Sequence, residues 1–542
     1  MIGKMLGHYR VVEKTAGRMA IASLTVNCFS NNIALPSNTS SKISIGRCLS
    51  IALLVTLIIG SAAPRNTGST EANKLIDPIK IDAGYISGTR IGDLGKEVRI
   101  YRGIPYAAPP VGDLRWKPPQ PVASWTGIRE CTSFGKSAPQ PTDRADLSDM
   151  PQSEDCLYLN VLTPAKRASD NLPVMVWMHG GAYGRGSGSR PLFNLPRLPQ
   201  KGMVLVTVNM RLGPIGLLAH PLLSKESHRG ISGNYMFLDM IAALQWAQRN
   251  IAVFGGNPKN VTIAGQSGGA GKVACLMASP LANRLFQKGI CESGAVLYSA
   301  PVKDLESMGE KYFARLGVDK EADPLGAARA LPWQKIIETE SVFSKEFGRS
   351  KGIALTDPAI DGRFLTDVPV NIFRAGKQNP VSLITCANLG ELTGPGNIVM
   401  PYLTPYYAGL LDGVNRVGQR GYACIFDQMP SRWKQEGCVS SHGMELGYVF
   451  GDWDNSAGWW PFLLNLNAKV AGARSLVPGL TDTDRKVSEN MMAMWVQFAR
   501  TGNPNVRGLI IWPAYESAKD QYLYITDSLQ IKSGFSRVAQ QE

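Results

Sequence analysis

Residues 261–270 read Val-Thr-Ile-Ala-Gly-Gln-Ser-Gly-Gly-Ala. A β-branched apolar run passes into Gly-x-Ser-x-Gly, and small residues then open a helix. Few folds accept that order. The serine sits on a turn between strand and helix so tight that a Cβ at Gly265 or Gly269 would meet neighbouring backbone. The turn lifts the hydroxyl above the C-terminal edge of a sheet, at the positive end of the following helix. The five-residue pattern alone recurs by chance; the strand before it and the helix after it give it weight. Ser267 is therefore the candidate nucleophile.

The rest of the chain repeats the strand–helix alternation. Val174–Met178, Val204–Val208, Val261–Ala264 and Val381–Thr385 are short apolar runs that predict buried strands. Phe237, Met240, Ile241, Leu244 and Ala247 fall on one face of a helix. Met491, Trp495 and Phe498 mark another, which Gly502-Asn503-Pro504 ends. Such alternation predicts an α/β fold, a large, mostly parallel sheet with helices on both faces and long insertions. At roughly 150 residues per domain, 542 residues suggest three or four domains. No internal repeat or Gly/Ser linker divides the chain, so residues 64–542 are expected to form one large domain.

Residues 1–63 read as a leader. Lys42 and Arg47 precede the apolar run Ile51–Ile59, and Gly60-Ser61-Ala62-Ala63 follows it, the order of a secretory signal. The run is shorter than the roughly 20 residues of a spanning helix. The long polar stretch before it is unusual, so an uncleaved membrane anchor is the alternative to export into a secreted or periplasmic location. The leader holds six basic residues against one acid, Glu13, and so supplies +5 of the net charge of +14. No basic block or basic–aromatic interleave remains elsewhere, which leaves a nucleic-acid partner unsupported. Seven cysteines follow the leader: Cys131, Cys156, Cys275, Cys291, Cys386, Cys424 and Cys438. No CxxC pair occurs, so a zinc ribbon is not expected, and Cys424 and Cys438 are near enough in sequence to pair.

A serine hydroxyl needs a base at neutral pH, and the chain has only five histidines. His8 lies in the leader. His179 follows a strand directly, and His220 and His228 precede the nucleophile. His442 alone satisfies the order serine, acid, histidine of the α/β-hydrolases. The acid belongs between them at a strand end, where Glu391 follows Val381–Thr385; Asp357, Asp361 and Asp412 lack a strand of that quality. His179-Gly180-Gly181-Ala182 supplies small residues whose N–H groups can approach an oxyanion, together with the N–H of Gly268.

Further stretches name a family. Tyr101-Arg102-Gly103-Ile104-Pro105-Tyr106-Ala107, Pro109-Pro110-Val111-Gly112, Ser153-Glu154-Asp155-Cys156-Leu157-Tyr158-Leu159-Asn160, Phe254-Gly255-Gly256-Asn257-Pro258, His442-Gly443-Met444-Glu445 and Gly447-Tyr448-Val449-Phe450-Gly451 resemble the type-B carboxylesterases, the cholinesterase-like branch of the α/β-hydrolases. The match runs from about Tyr101 to Tyr524. The resemblance implies hydrolysis of small-molecule carboxylic esters through an acyl-enzyme, without metal or organic cofactor. It implies Ser267, Glu391 and His442 as the triad and Gly181, Ala182 and Gly268 as oxyanion donors. It also implies a buried structural ion pair between Arg115 and Glu154. Amide or carbamate hydrolysis by the same triad is an alternative. A non-catalytic adhesion role is a remote one, opposed by retention of all three residues.

The departures from the family pattern carry chemistry. Gln266-Ser267-Gly268 stands where Glu-Ser-Ala is usual, which removes a negative charge beside the nucleophile and weakens the case for a cationic substrate such as a choline ester. Ala182 stands where Gly is common. Ala138 occupies the slot of the cysteine that normally pairs with Cys156, with Cys131 as a substitute partner. Trp453, Trp459 and Trp460 are expected either in the core or along a substrate pocket. Asn260-Val261-Thr262 forms a glycosylation sequon that abuts a buried strand.

Overall fold

The strand Leu172–Met178 is buried almost throughout, and its side chains alternate between two separate clusters. Val174, Val176 and Met178 join one, and Met175 and Trp177 the other. Successive residues of a strand point to opposite faces, so a strand apolar on both must lie inside a sheet covered on both. The computed structural model describes residues 75, 77–142, 150–296, 298–348, 352–393, 400–460, 463 and 479–540. The expected leader, residues 1–63, lies outside these residues; residues 67–542 form one unit.

Among the described residues the main sheet has eleven strands. They are β1 (Thr89–Ile91), β2 (Val98–Pro105), β3 (Tyr158–Thr163), β4 (Leu172–Met178), β5 (Val204–Val208), β6 (Gly256–Gln266), β7 (Lys288–Glu292), β8 (Ser382–Asn388), β9 (Gly421–Phe426), β10 (Gln521–Ile525) and β11 (Leu529–Ser533). Their spatial order is β11-β10-β9-β8-β7-β6-β4-β5-β3-β2-β1. The neighbours from β5 to β10 are parallel. The sheet ends in antiparallel strands on both sides.

Two strands run past their apolar stretches. The run expected to stop at Ala264 continues to Gln266, because Gly265 and Gln266 pair in register with Cys291 and Glu292 of β7. The run expected over Val381–Thr385 shifts to Ser382–Asn388, because Ala387 and Asn388 pair with Ile425 and Phe426 of β9. Backbone pairing in the sheet interior, invisible to periodicity, carries both strands to the edge where Ser267 and Glu391 sit.

Helices complete both layers. Those that bear on the site and its support are α1 (Tyr235–Asn250), α2 (Gly268–Ala278), α3 (Val302–Leu316), α4 (Trp333–Phe347), α5 (Leu389–Thr393), α6 (Met444–Val449) and α7 (Asp482–Thr501). The expected apolar face of α1 packs on the cluster that holds Val174 and Val176, while Met491, Trp495 and Phe498 of α7 pack on the other. Thr481 and Asp484 form a capping box at the start of α7, and Gly502 ends it in the left-handed region at φ 76°. Between β7 and β8, α3 and α4 are inserted around a further core in which Tyr312, Phe313, Ile336 and Phe343 cluster with Trp116, Ile215 and Tyr235.

Two buried ion pairs fasten the loops beneath this insertion. Arg115 reaches Glu154 through two hydrogen bonds of 2.6 and 2.5 Å and donates from its remaining nitrogen to the carbonyls of Ala328, Arg329 and Leu331. Arg211 and Asp239, both fully buried, form a second bidentate pair at 2.8 and 2.6 Å. Nothing in the sequence marked this second pair, since a lone Arg after a strand and a lone Asp in a helix carry no signature. Removing one partner strands a charge in the interior. Asp239→Asn is expected to lower the unfolding free energy by about 3–5 kcal/mol in urea denaturation. Glu516→Gln, which breaks the exposed Lys519–Glu516 pair, should cost at most about 1 kcal/mol.

Candidate active site

β6 delivers Ser267 directly, and the backbone there is strained. Ser267 has φ 58° and ψ −126°, a conformation that L-residues rarely adopt. Its N–H donates to the Glu292 carbonyl at 2.8 Å, and its own carbonyl accepts from the Gly271 N–H at 3.2 Å. The turn closes because its flanks lack side chains. A Cβ at Gly269 would lie 2.0 Å from the Met178 carbonyl oxygen, and one at Gly265 would lie 2.6 Å from Gly269 backbone. α2 therefore abuts the end of β4 backbone to backbone, with Ser267 at the junction.

His442 enters from the loop between β9 and α6. Its Nδ1 lies 2.6 Å from Oε2 of Glu391, which is fully buried on α5 one turn after β8. The other carboxylate oxygen accepts the Asn388 N–H at 2.7 Å. A carboxylate on Nδ1 fixes the tautomer with the proton there and leaves the Nε2 lone pair as the base. Ser267 and His442 line one cavity of about 660 Å³. Gln266 brings its side-chain nitrogen to 3.3 Å from Nε2 of His442. The residue that departs from the family pattern thus touches the base itself, with a neutral amide in place of a carboxylate.

Behind His442 lie two more buried carboxyls. Glu445 accepts from the Asn388 side chain at 2.6 Å and from Ser293 at 3.3 Å. Burial, reinforced by Glu391, pushes its pKa up to about 7. Glu292, held by the Trp495 indole N–H at 2.7 Å, is also pushed up, by burial and by Glu445. Both raised carboxyls favour their neutral forms over adding negative charge behind the Glu391–His442 pair.

Residues 180–182 lie across the elbow. Gly181 and Ala182 line the cavity beside Ser267. A Cβ on Gly268 would fall 1.9 Å from the Ala182 carbonyl oxygen, so glycine is required at this contact. Ala182 holds φ 52°, a left-handed backbone that glycine adopts freely and alanine only with strain of roughly 1–2 kcal/mol. The substitution of the family's glycine keeps the loop's shape at that cost.

The remaining expected residues have other surroundings. His179 is buried with Nδ1 2.8 Å from the Gly180 carbonyl, and burial followed by Lys272 pushes its pKa down. His220 caps a short helix and stacks on Phe313. Asp361 accepts three backbone N–H groups of its own turn, and Asp412 contacts Ser517. Asp357 accepts the Ala354 N–H and lines the outer cavity. Trp459 lines the cavity, whereas Trp460 donates to the Asp452 carbonyl in the core and Trp453 stacks under Arg197. Cys131 and Cys156 are separate buried thiols, so the substitute disulfide between them is absent; Cys424 is likewise a free thiol, which excludes its pairing with Cys438. Cys424 instead lies in register with Cys386 on the adjacent strand. Asn260 of the sequon donates to the Arg500 carbonyl and accepts from Lys288.

Sequence reasoning missed Gln266 as a contact of the base, Asn388 as the bridge between two carboxyls, and the α4 side of the cavity. Ile337, Glu340, Ser341, Ser344 and Lys345 line that side. Their place along the cavity depends on the inserted core.

Comparison with known proteins identifies the family of the chain. Residues 77–404 and 404–541 match the family model described as the carboxylesterase family. The chain is 32% identical over 529 residues to the fumonisin B1 esterase of Sphingopyxis macrogoltabida, covering 89% of this chain and 92% of that protein. It is 32% identical over 503 residues to the para-nitrobenzyl esterase of Bacillus subtilis, covering 83% and 95%. The solved structure of a thermophilic PNB esterase is similar with a TM-score of 0.70 at 28% identity, covering 84% of this chain and 97% of that one.

The strain at Ser267 is measurable. Ser267→Gly is expected to raise the unfolding free energy by about 1 kcal/mol, the relief of positive φ exceeding the entropy glycine adds to the unfolded chain. Equilibrium denaturation checks it; unchanged or lowered stability contradicts the strain assigned here.

Proposed function

The chain belongs to the carboxylesterase family and is a carboxylic ester hydrolase, and from that premise we propose that Ser267, His442 and Glu391 carry the reaction through an acyl-enzyme. The observation that carries this reading is the 2.6 Å contact between His442 Nδ1 and Glu391, in a cavity shared with a serine on a strained elbow. His442 Nε2 takes the proton from Ser267, and Oγ attacks the ester carbonyl. The N–H groups of Gly181, Ala182 and Gly268 receive the negative charge of the tetrahedral intermediate. His442 returns the proton to the leaving alcohol. Water then enters, and the same steps release the acid.

The substrate is a small-molecule ester. The cavity lining supports one with an apolar group and a polar one. Phe193, Leu446, Trp459 and Leu463 offer an apolar wall, and Arg185, Glu340 and Lys345 a charged one.

Residues 1–63 act as a leader for export on this reading, supported by the order of basic residues, apolar run and small residues. Mass spectrometry of the N-terminus after expression of the full chain should find it at or near Pro64, outside the cytoplasm. A full-length chain retained in the cytosol contradicts export.

With short p-nitrophenyl esters, the wild type should show a burst of p-nitrophenol followed by turnover. Ser267→Ala should abolish the burst and lower kcat by roughly 10⁴-fold or more, and Glu391→Gln should lower kcat about 10³- to 10⁴-fold with little change in folding. Retained turnover in Ser267→Ala sinks the assignment.

A further inference from the structure

Lys272 is fully buried on α2, five residues beyond Ser267. Its ammonium donates to a single described acceptor, the His179 carbonyl, at 3.0 Å. A buried lysine ordinarily meets a carboxylate; the only ionisable partner linked to this one is the imidazole of His179. Among the described residues no carboxylate forms an ion pair with it. On α2 itself Cys275 is a thiol pushed far up by burial, and on β7 Cys291 and Glu292 are pushed up in the same way. An unpaired buried ammonium destabilises the fold, so its partner carbonyl is informative. His179 is the last residue before Gly180-Gly181-Ala182, and its carbonyl orients the peptide that leads into the oxyanion loop.

We propose that Lys272 is a positioning residue of the oxyanion hole, its ammonium clamping the His179 carbonyl and placing positive charge beneath the loop that receives the tetrahedral anion. This rests on Gly181, Ala182 and Gly268 being the oxyanion donors. The local geometry explains how the side chain gets there. Gly269 lets α2 close onto the end of β4, to where a Cβ at Gly269 would also lie 3.0 Å from the His179 carbonyl oxygen. Lys272 stands three residues on, one helical turn along, and reaches back to the same oxygen. A fixed charge in a water-excluded site needs no reorganisation as the reaction develops charge, which is where such groups stabilise most.

The sign of the linkage gives a second consequence. Burial lowers the Lys272 pKa from 10.5 to about 7. Between those values the unfolded chain binds a proton that the folded chain sheds, so stability rises with pH across that window and the penalty is complete below pH 7. In the folded chain the charge beneath the oxyanion loop is lost at the lower end of that window, as pH rises through about 7.

Lys272→Met is the test, with kcat, KM, the pH profile and the affinity for an aryl trifluoromethyl ketone, which adds to the serine as a tetrahedral oxyanion. The clamp predicts kcat lowered roughly tenfold or more with KM within twofold. It also predicts a matching loss of ketone affinity and loss of any decline in kcat above pH 7. The variant should melt above the wild type at pH 6, with a gap that narrows toward pH 10. A purely structural lysine would alter melting and leave kcat, ketone affinity and pH profile in place, and that result overturns the proposal. If Lys272→Met does not fold, Lys272→Gln, which keeps an N–H donor without the charge, carries the same comparison. The wild-type burst separates the two readings. A burst with an unaffected Lys272→Met overturns the clamp alone; no burst overturns the acyl-enzyme and the clamp together.

Discussion

Everything at the active site depends on one close contact of backbone with backbone, the first turn of α2 against the end of β4. Gly268 and Gly269 leave no side chain between them and the carbonyls of Ala182 and Met178. That contact sets the strained turn at Ser267, lays residues 180–182 across it, and brings Lys272 within reach of His179. A side chain at either glycine would separate helix from strand by more than an ångström, enough to take N–H groups out of range of a developing oxyanion.

Around the contact the protein concentrates ionisable groups where few neighbours balance them. Glu292 and Glu445 are buried behind Glu391, and Lys272 is buried against the His179 carbonyl. Each is shifted toward its neutral form, and each costs stability when charged. The far more extensive apolar packing on both faces of the sheet, from Val174 to Trp495, tolerates that cost. Elsewhere the buried charges are matched, as in the Arg115–Glu154 and Arg211–Asp239 pairs, which hold loops and insertion rather than the site.

The sheet was largely legible, because a strand buried on both faces must be continuously apolar, as Val174–Met178 and Val204–Val208 are. Strand ends were not. Gln266 and Asn388 are polar, and only pairing with β7 and β9 holds them in strands. Whether Cys131 replaces the missing partner of Cys156 was open for a related reason, since a motif fixes neighbours in sequence and not the approach of two thiols; both are free. Trp459 and Trp460 are adjacent and chemically alike, yet the first faces the cavity and the second the core.

Order along the chain pointed to Ser267, Glu391 and His442 as candidates, and the fold brings Glu391 against His442 beside a cavity that Ser267 also lines. A glycine-flanked serine between strand and helix has one feasible geometry, and only one histidine follows it. Distances across the fold settled the remainder: the amide of Gln266 against Nε2 of His442, the carboxyls of Glu292 and Glu445 behind it, and the helix α4 over the cavity. Such contacts join residues far apart in the chain, as in the 203-residue span between Glu292 and Trp495. Local propensity and pattern act over a few turns, whereas burial and electrostatics act through space, so only the closed sheet and its insertion decide who faces whom.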